Sequence, residues 1–197
     1  MTDYNFKPKL SSDDFGWYGM DHLPHLDGEQ MTQFITFRLF DSMPQDVLDR
    51  WRNDVIADSV FRRRIEHYLD AGYGMCWLRA ERIAQVVQEA LLFHAKKKYD
   101  LWSWVIMPNH CHALLTPYAG VHMPNLLHSI KSYTAQKANK LLSRKGQFWQ
   151  HESFDRYIRN NRHFSSVVRY IENNPVKAGL CREPSDWRWG SAGYRKD

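Results

Sequence analysis

Trp104-Val105-Ile106-Met107-Pro108-Asn109-His110-Cys111-His112-Ala113-Leu114-Leu115 is the stretch that decides how this chain is read. An apolar, β-like run is broken by Pro108-Asn109 and then resumes, the pattern of two strands joined by a tight turn. Alternate side chains of a strand share a face, so His110 and His112 point one way and Cys111 the other. Two imidazoles converging from one strand can hold a divalent metal, and such a metal can promote phosphoryl chemistry. Taken alone, the pair reads equally well as two histidines on a half-buried strand.

Outward from this hairpin, strand and helix signals alternate. Gln33-Phe34-Ile35-Thr36-Phe37-Arg38-Leu39-Phe40 is rich in β-branched and aromatic residues and predicts a strand. Asp41-Ser42-Met43-Pro44 reads as a turn into a helix capped by Ser42 or Asp41. Helical stretches follow at about 45–57 and 59–70, and Gly72 and Gly74 break the pattern. Residues 81–97 carry Ile83, Val86, Val87, Ala90, Leu91 and His94 on one helical stripe. Strands are expected at 100–107 and 110–116, a long helix at 124–142 stopped by Gly146, and a short strand at 153–159. Phe164, Val167, Val168 and Ile171 set a helix over 163–174, which Pro175 is expected to end. The tail beyond Cys181, with Trp187, Trp189 and Tyr194, is expected to lie over the sheet. The result is an α+β domain: an antiparallel sheet with helices on one face. The stretch 41–80 reads as a helical insertion. Residues 1–30 read as a loosely structured arm with Gly16, Gly19, Pro24 and Gly28 as breakers, which leaves 31–197 as the domain.

Composition bounds the class. The 197 residues are 43% hydrophobic and 25% charged, which suits one globular domain with an elaboration and excludes a disordered chain. No apolar run approaches the ~18 residues of a membrane span, and Met1-Thr2-Asp3-Tyr4-Asn5-Phe6-Lys7 has no apolar signal core. A cytoplasmic protein with no membrane partner is expected. Cys76, Cys111 and Cys181 are odd in number and widely spaced, as reduced thiols are.

The formal charge of +5 is local. Between Leu126 and His163 lie eight basic residues, Lys131, Lys137, Lys140, Arg144, Lys145, Arg156, Arg159 and Arg162, against Glu152 and Asp155; the remainder holds 19 basic and 20 acidic residues. Tyr133, Phe148, Trp149, Phe154 and Tyr157 are interleaved with the cations. Cations for phosphates beside flat rings for bases suit a single nucleic-acid strand. The candidate contacts are Lys131, Tyr133, Lys137, Arg144, Lys145, Trp149, Arg156, Tyr157 and Arg159. A solvated helix face with ordinary core aromatics gives the same pattern.

Tyr170 and Asn174 lie four apart in Arg169-Tyr170-Ile171-Glu172-Asn173-Asn174-Pro175, so on a helix they share a face one turn apart. Tyrosine is an oxygen nucleophile whose pKa near 10 demands help at neutral pH. A metal held by His110 and His112 could polarise a phosphate, and Asn174 could add an oxygen ligand. Each residue alone also reads as structural, Tyr170 in a core and Asn174 at a helix end.

Together, His110-Cys111-His112 after Met107-Pro108-Asn109, then Ser132-Tyr133-Thr134, Phe148-Trp149-Gln150, Phe154-Asp155-Arg156-Tyr157-Ile158-Arg159 and Tyr170-Ile171-Glu172-Asn173-Asn174-Pro175-Val176-Lys177-Ala178-Gly179, resemble the REP-associated tyrosine transposases. These are of the single-tyrosine branch of the HUH nucleases, beside small insertion-sequence transposases that move as single-stranded DNA. The resemblance covers about residues 31–194 and lies in the order and spacing of the motifs. It implies a ferredoxin-like fold with the histidines on a central strand. It implies a Mg²⁺- or Mn²⁺-dependent attack by the helix tyrosine on DNA, leaving a 5′-phosphotyrosine and a free 3′-OH. By motif match Tyr170 is the nucleophile, His110 and His112 bind metal, and Asn174 is a candidate third ligand. Tyr157 is the runner-up nucleophile.

Three functions compete. The first is a metal-dependent single-stranded DNA endonuclease and strand transferase acting on hairpin, REP-like DNA, as a monomer or homodimer. The second is a non-catalytic hairpin DNA or RNA-binding module of the same fold. The third is a metal phosphoesterase that uses water, with Tyr170 structural. The trio of Tyr170, His110 and His112 favours the first, and a covalent protein–DNA adduct separates it from the others.

Overall fold

A computed structural model describes residues 16–20, 23–27, 30–54 and 58–195. Its centre is a four-stranded antiparallel sheet of β3 (Gln33–Arg38), β4 (Tyr99–Ile106), β5 (His110–Pro117) and β6 (Phe154–Tyr157), in the order β4-β5-β3-β6. This is the interleaved order of a ferredoxin-like sheet. Among the described residues the helices are α1 (Gln45–Asn53), α2 (Asp58–Asp70), α3 (Glu81–His94), α4 (Met123–Leu141), α5 (Asn161–Lys177) and the short α6 (Ser191–Tyr194). The α+β class is as the sequence predicts. In place of the loose arm expected over 1–30, β1 (Gly16–Met20) and β2 (Leu23–Asp27) pair as a separate antiparallel hairpin, and residues 1–15 of that expectation lie outside the described residues.

The expectation of helices on one face needs correction. Ile83, Val87 and Leu91 of α3 and Leu126, Ile130 and Ala138 of α4 pack with Ile35, Phe37, Cys111, Ala113 and Leu115 on one face. On the other, Phe164, Val167 and Ile171 of α5 cover Phe34, Val105 and Leu114. Every position of β3 is buried. A strand buried on both faces loses the in–out alternation of a half-exposed one, and the apolar stripe of α5 needs a second layer to cover it.

α5 also runs past the proline expected to stop it: Pro175 is inside the helix, which continues to Lys177. Near a C-terminus the missing N–H costs one bond only, and Ala178 N still donates to Asn174 O at 3.0 Å. The insertion carries its own small core, Met43, Leu48, Phe61, Ile65 and Leu69, against Phe154. The tail runs along the free edge of β4: Ile106 N donates to Trp189 O at 2.8 Å, and Trp187 Nε1 to Ile106 O at 3.0 Å. It therefore shields an edge as well as packing Trp189 into the core. No helix among the described residues is long and apolar enough to cross a membrane.

Candidate functional site

The turn Pro108-Asn109 sends β5 back along β4, and Met107 N donates to His110 O at 2.8 Å to close it. β5 is flanked by β3 and β4, so His110 and His112 stand on a strand fixed from both sides. Both are fully buried, with ring centroids 4.7 Å apart. Each ring is held through Nδ1. His110 Nδ1 meets Asn109 Oδ1 at 2.7 Å, and His112 Nδ1 meets Thr36 Oγ1 at 2.7 Å, Thr36 being its register partner on β3. Asn109 in turn donates its amide to Tyr73 O at 3.0 Å, which turns its oxygen toward His110. With Nδ1 so engaged, the Nε2 atoms of both rings face the site without a hydrogen-bond partner. Holding the far nitrogen in this way is how proteins set the tautomer of a ligating imidazole. Burial, with Lys177 adding to it, pushes the His110 pKa down to about 3. Burial first, then His110 and Lys177, drives His112 well below its usual range. Both rings are therefore neutral, and with Nδ1 donating to the Asn109 oxygen His110 presents a lone pair at Nε2.

α5, packed over the histidine face of the sheet, brings the other groups. Asn160 caps its start, accepting from His163 N at 2.9 Å. Tyr170 reaches His112 with ring centroids 5.5 Å apart and meets Phe34 edge-on at 5.8 Å. One turn on, Asn174 is 1% exposed, and neither atom of its amide has a hydrogen-bond partner. The Tyr170 hydroxyl faces Glu66 and Asn174, with no hydrogen bond of good geometry. Burial, then the charges of Glu66 and Asp70, raise its pKa above the usual tyrosine value.

A buried polar atom without a partner costs free energy, and here such atoms converge: His110 Nε2, His112 Nε2, Tyr170 Oη, both amide atoms of Asn174, and Asp70 Oδ1. Two imidazole nitrogens and a spare amide oxygen fit a divalent cation of the Mg²⁺ or Mn²⁺ kind. Among the described residues no three His, Cys, Asp or Glu side chains already stand at ligand spacing.

Glu66 and Asp70 were missed in the sequence. They lie four apart on α2, beside the apolar positions Phe61, Ile65 and Leu69, so their sharing a face was readable but not what that face meets. Burial raises the Glu66 carboxyl, with Arg156 and Lys177 opposing it. Asn109 and Thr36 were also missed as supports, read only as turn and strand residues. A cleft lined by Val60, Arg63, Arg64, Glu66, His67 and Lys177 opens from the same carboxylate.

The nucleic-acid candidates are scattered by the fold. Tyr133 is half exposed on α4, with Lys137 above its ring at 5.7 Å, and Lys145 is exposed just beyond the helix. Arg156 lies on the histidine face, its guanidinium 5.6 Å from the Phe34 ring. Tyr157 alternates to the opposite face from Arg156, with Arg159 over its ring at 5.5 Å, and the structure does not bring it to the histidines. Lys131 is turned inward, Nζ donating to His151 O at 2.8 Å, and burial lowers its pKa to about 8. Arg144 stacks over Trp77 at 4.0 Å and donates to Asn139. Trp149 as a base-stacking ring is corrected: it is 4% exposed, edge-on to Phe37, with Nε1 donating to Thr134 Oγ1 at 2.8 Å. The cause is pairing of its segment with the end of β3, where Gln150 N donates to Arg38 O at 2.8 Å and pulls the ring under α4.

Comparison with known proteins bears out the resemblance drawn from the motifs. Residues 77–174 match the family described as "Transposase IS200 like". The chain is 28% identical over 92 residues, 46% of its length, to the REP-associated tyrosine transposase of Escherichia coli (strain K12). That match spans about half, 53%, of the curated relative. The fold is similar to a solved structure of a REP-associated tyrosine transposase bound to a REP hairpin, with a TM-score of 0.58 at 18% identity, covering 89% of this chain and 84% of the other.

Proposed function

We propose that this chain, which over residues 77–174 matches the IS200-like transposase family, cuts and rejoins single-stranded, hairpin-bearing DNA through Tyr170. The observation that carries this reading is the meeting of Tyr170 Oη, Asn174 and the two Nε2 atoms, all buried and unpartnered, on one face of the sheet between β5 and α5.

His110, His112 and Asn174 would hold a Mg²⁺ or Mn²⁺ ion, which when bound polarises the scissile phosphate. Tyr170 Oη attacks phosphorus, its O–P bond forming as the bond to the 3′ oxygen breaks. Its proton is lost to the Glu66 carboxylate that faces it, and the departing 3′ oxygen gains one, so the step is balanced. The 5′-phosphotyrosine keeps the energy of the phosphodiester, and the 3′-OH can reverse the step and rejoin DNA without ATP. Asn109 and Thr36 hold the two imidazoles in place. Arg156, on the histidine face, and the cations Lys137, Lys145 and Arg159 are proposed to meet the DNA backbone.

The burial of Tyr170, with its raised pKa, favours as a second reading a hairpin-binding module without catalysis. One assay separates them. The protein is incubated with end-labelled hairpin oligonucleotides and Mn²⁺ and run on a denaturing gel. A label retarded by the mass of the chain supports the transferase. A gel shift under native conditions with neither an adduct nor a shortened label leaves only the binder.

A further inference from the structure

We propose that the insertion helix α2 completes the cation site, Asp70 giving a carboxylate oxygen to the same divalent ion as His110, His112 and Asn174. This rests on the reading of the two histidines as ligands, and it gives the 41–80 insertion a chemical role.

Asp70 ends α2, and its side chain is 9% exposed. Its two oxygens differ. Oδ2 receives Lys177 Nζ at 2.6 Å, whereas Oδ1 is buried without a hydrogen-bond partner. Oδ1 lies 4.0 Å from His110 Nε2, which also lacks one. With His110 Nδ1 donating to Asn109, Nε2 presents a lone pair, so two acceptors face one another in a buried place. A cation between them removes that conflict. Ligands held about 2.1 Å from one ion are separated by about 3 Å when adjacent and about 4.2 Å when opposite, and 4.0 Å falls within that span.

The chemistry points the same way. Mg²⁺ and Mn²⁺ favour carboxylate oxygen, and two imidazoles with a neutral amide hold so hard an ion weakly. Lys177 fixes the carboxylate's orientation through its other oxygen, Oδ2. It is in reach because α5 continues beyond Pro175.

The test measures Mn²⁺ affinity, by the electron paramagnetic resonance signal of free Mn²⁺, for the full chain without DNA. Four proteins are compared: the natural chain, His112→Ala, Asp70→Asn, and the charge-balanced double variant Asp70→Asn with Lys177→Gln. A melting curve accompanies each. Expected are loss of binding in His112→Ala and a weakening of about tenfold or more in both Asp70 proteins. If the double variant binds like the natural chain, Asp70 serves only to neutralise Lys177 and the inference is overturned, as it is if Asp70→Asn binds unchanged. If His112→Ala also binds unchanged, the histidine reading itself fails, whatever Asp70 does. Should Asp70→Asn alone melt early from its unpaired lysine, the double variant carries the decision.

Discussion

Lys177 and Asp70 form an ion pair, Nζ to Oδ2 at 2.6 Å, that ties the last turn of α5 to the last residue of α2. One partner comes from the helix that carries Tyr170, the other from the insertion. The pair closes the site from the side opposite the sheet. Half of it is exposed, as Lys177 shows, so its direct contribution to stability is small; its effect is to orient.

Tyr170→Phe is expected to abolish the covalent DNA adduct and leave hairpin affinity within about twofold. It removes a buried hydroxyl that lacks a good partner, so stability should hold or rise by up to about 1 kcal/mol. Denaturing gels and melting curves check both halves. An adduct still formed by the variant would reassign the nucleophile.

His110→Ala and His112→Ala should each lose most cleavage, and EDTA should do the same to the natural chain, while Asn174→Ala has a smaller effect because water can replace a neutral amide oxygen. Cleavage that persists in EDTA would end the metal reading.

The metal-free protein should lose stability in acid. The folded histidines bind protons less readily than the unfolded ones, whose usual pKa is 6.5, so the unfolded state carries more protons below that value. Stability is then full above about pH 6.5 and falls as pH drops toward 3, by up to about 1.4 kcal/mol per pH unit for each histidine. Denaturant melts from pH 7 to pH 4 measure this, and His112→Asn should flatten the dependence. A slope unchanged in that variant would show that His112 is not held neutral.

Trp149→Ala should destabilise by about 3–5 kcal/mol, since it empties core volume and removes the Thr134 bond. Its hairpin affinity, measured well below the melting point, should be unchanged. A loss of binding without early melting would return Trp149 to the DNA surface.

Lys137→Ala, Lys145→Ala and Arg159→Ala should each flatten the log–log dependence of affinity on salt by about 0.7 for a single strand. Lys131→Ala should act instead on stability, through the His151 and Ser153 contacts it leaves unmade. Three unchanged slopes would place the DNA elsewhere on the molecule.

Sequence by itself determined the elements and much of the site's content. Alternation put His110 and His112 on one face of β5, helical spacing put Tyr170 and Asn174 on one face of α5, and a two-residue turn joined β4 to β5. All of these are short-range, set by backbone periods of 2 and 3.6 residues. What lies across space was not legible. The full burial of β3 signalled a second helical layer only once its neighbours were known. Trp149 has the same ring whether it stacks on a base or fills a core, and pairing with β3 decided for the core. Pro175 ends helices by a local rule, yet the packing of α5 carried the chain through it to Lys177. Glu66 and Asp70 read as the polar side of an amphipathic helix. Only tertiary structure turned that side toward His110 and Tyr170, because the angle at which a helix docks is set by the surfaces it buries, and those surfaces come from distant parts of the chain.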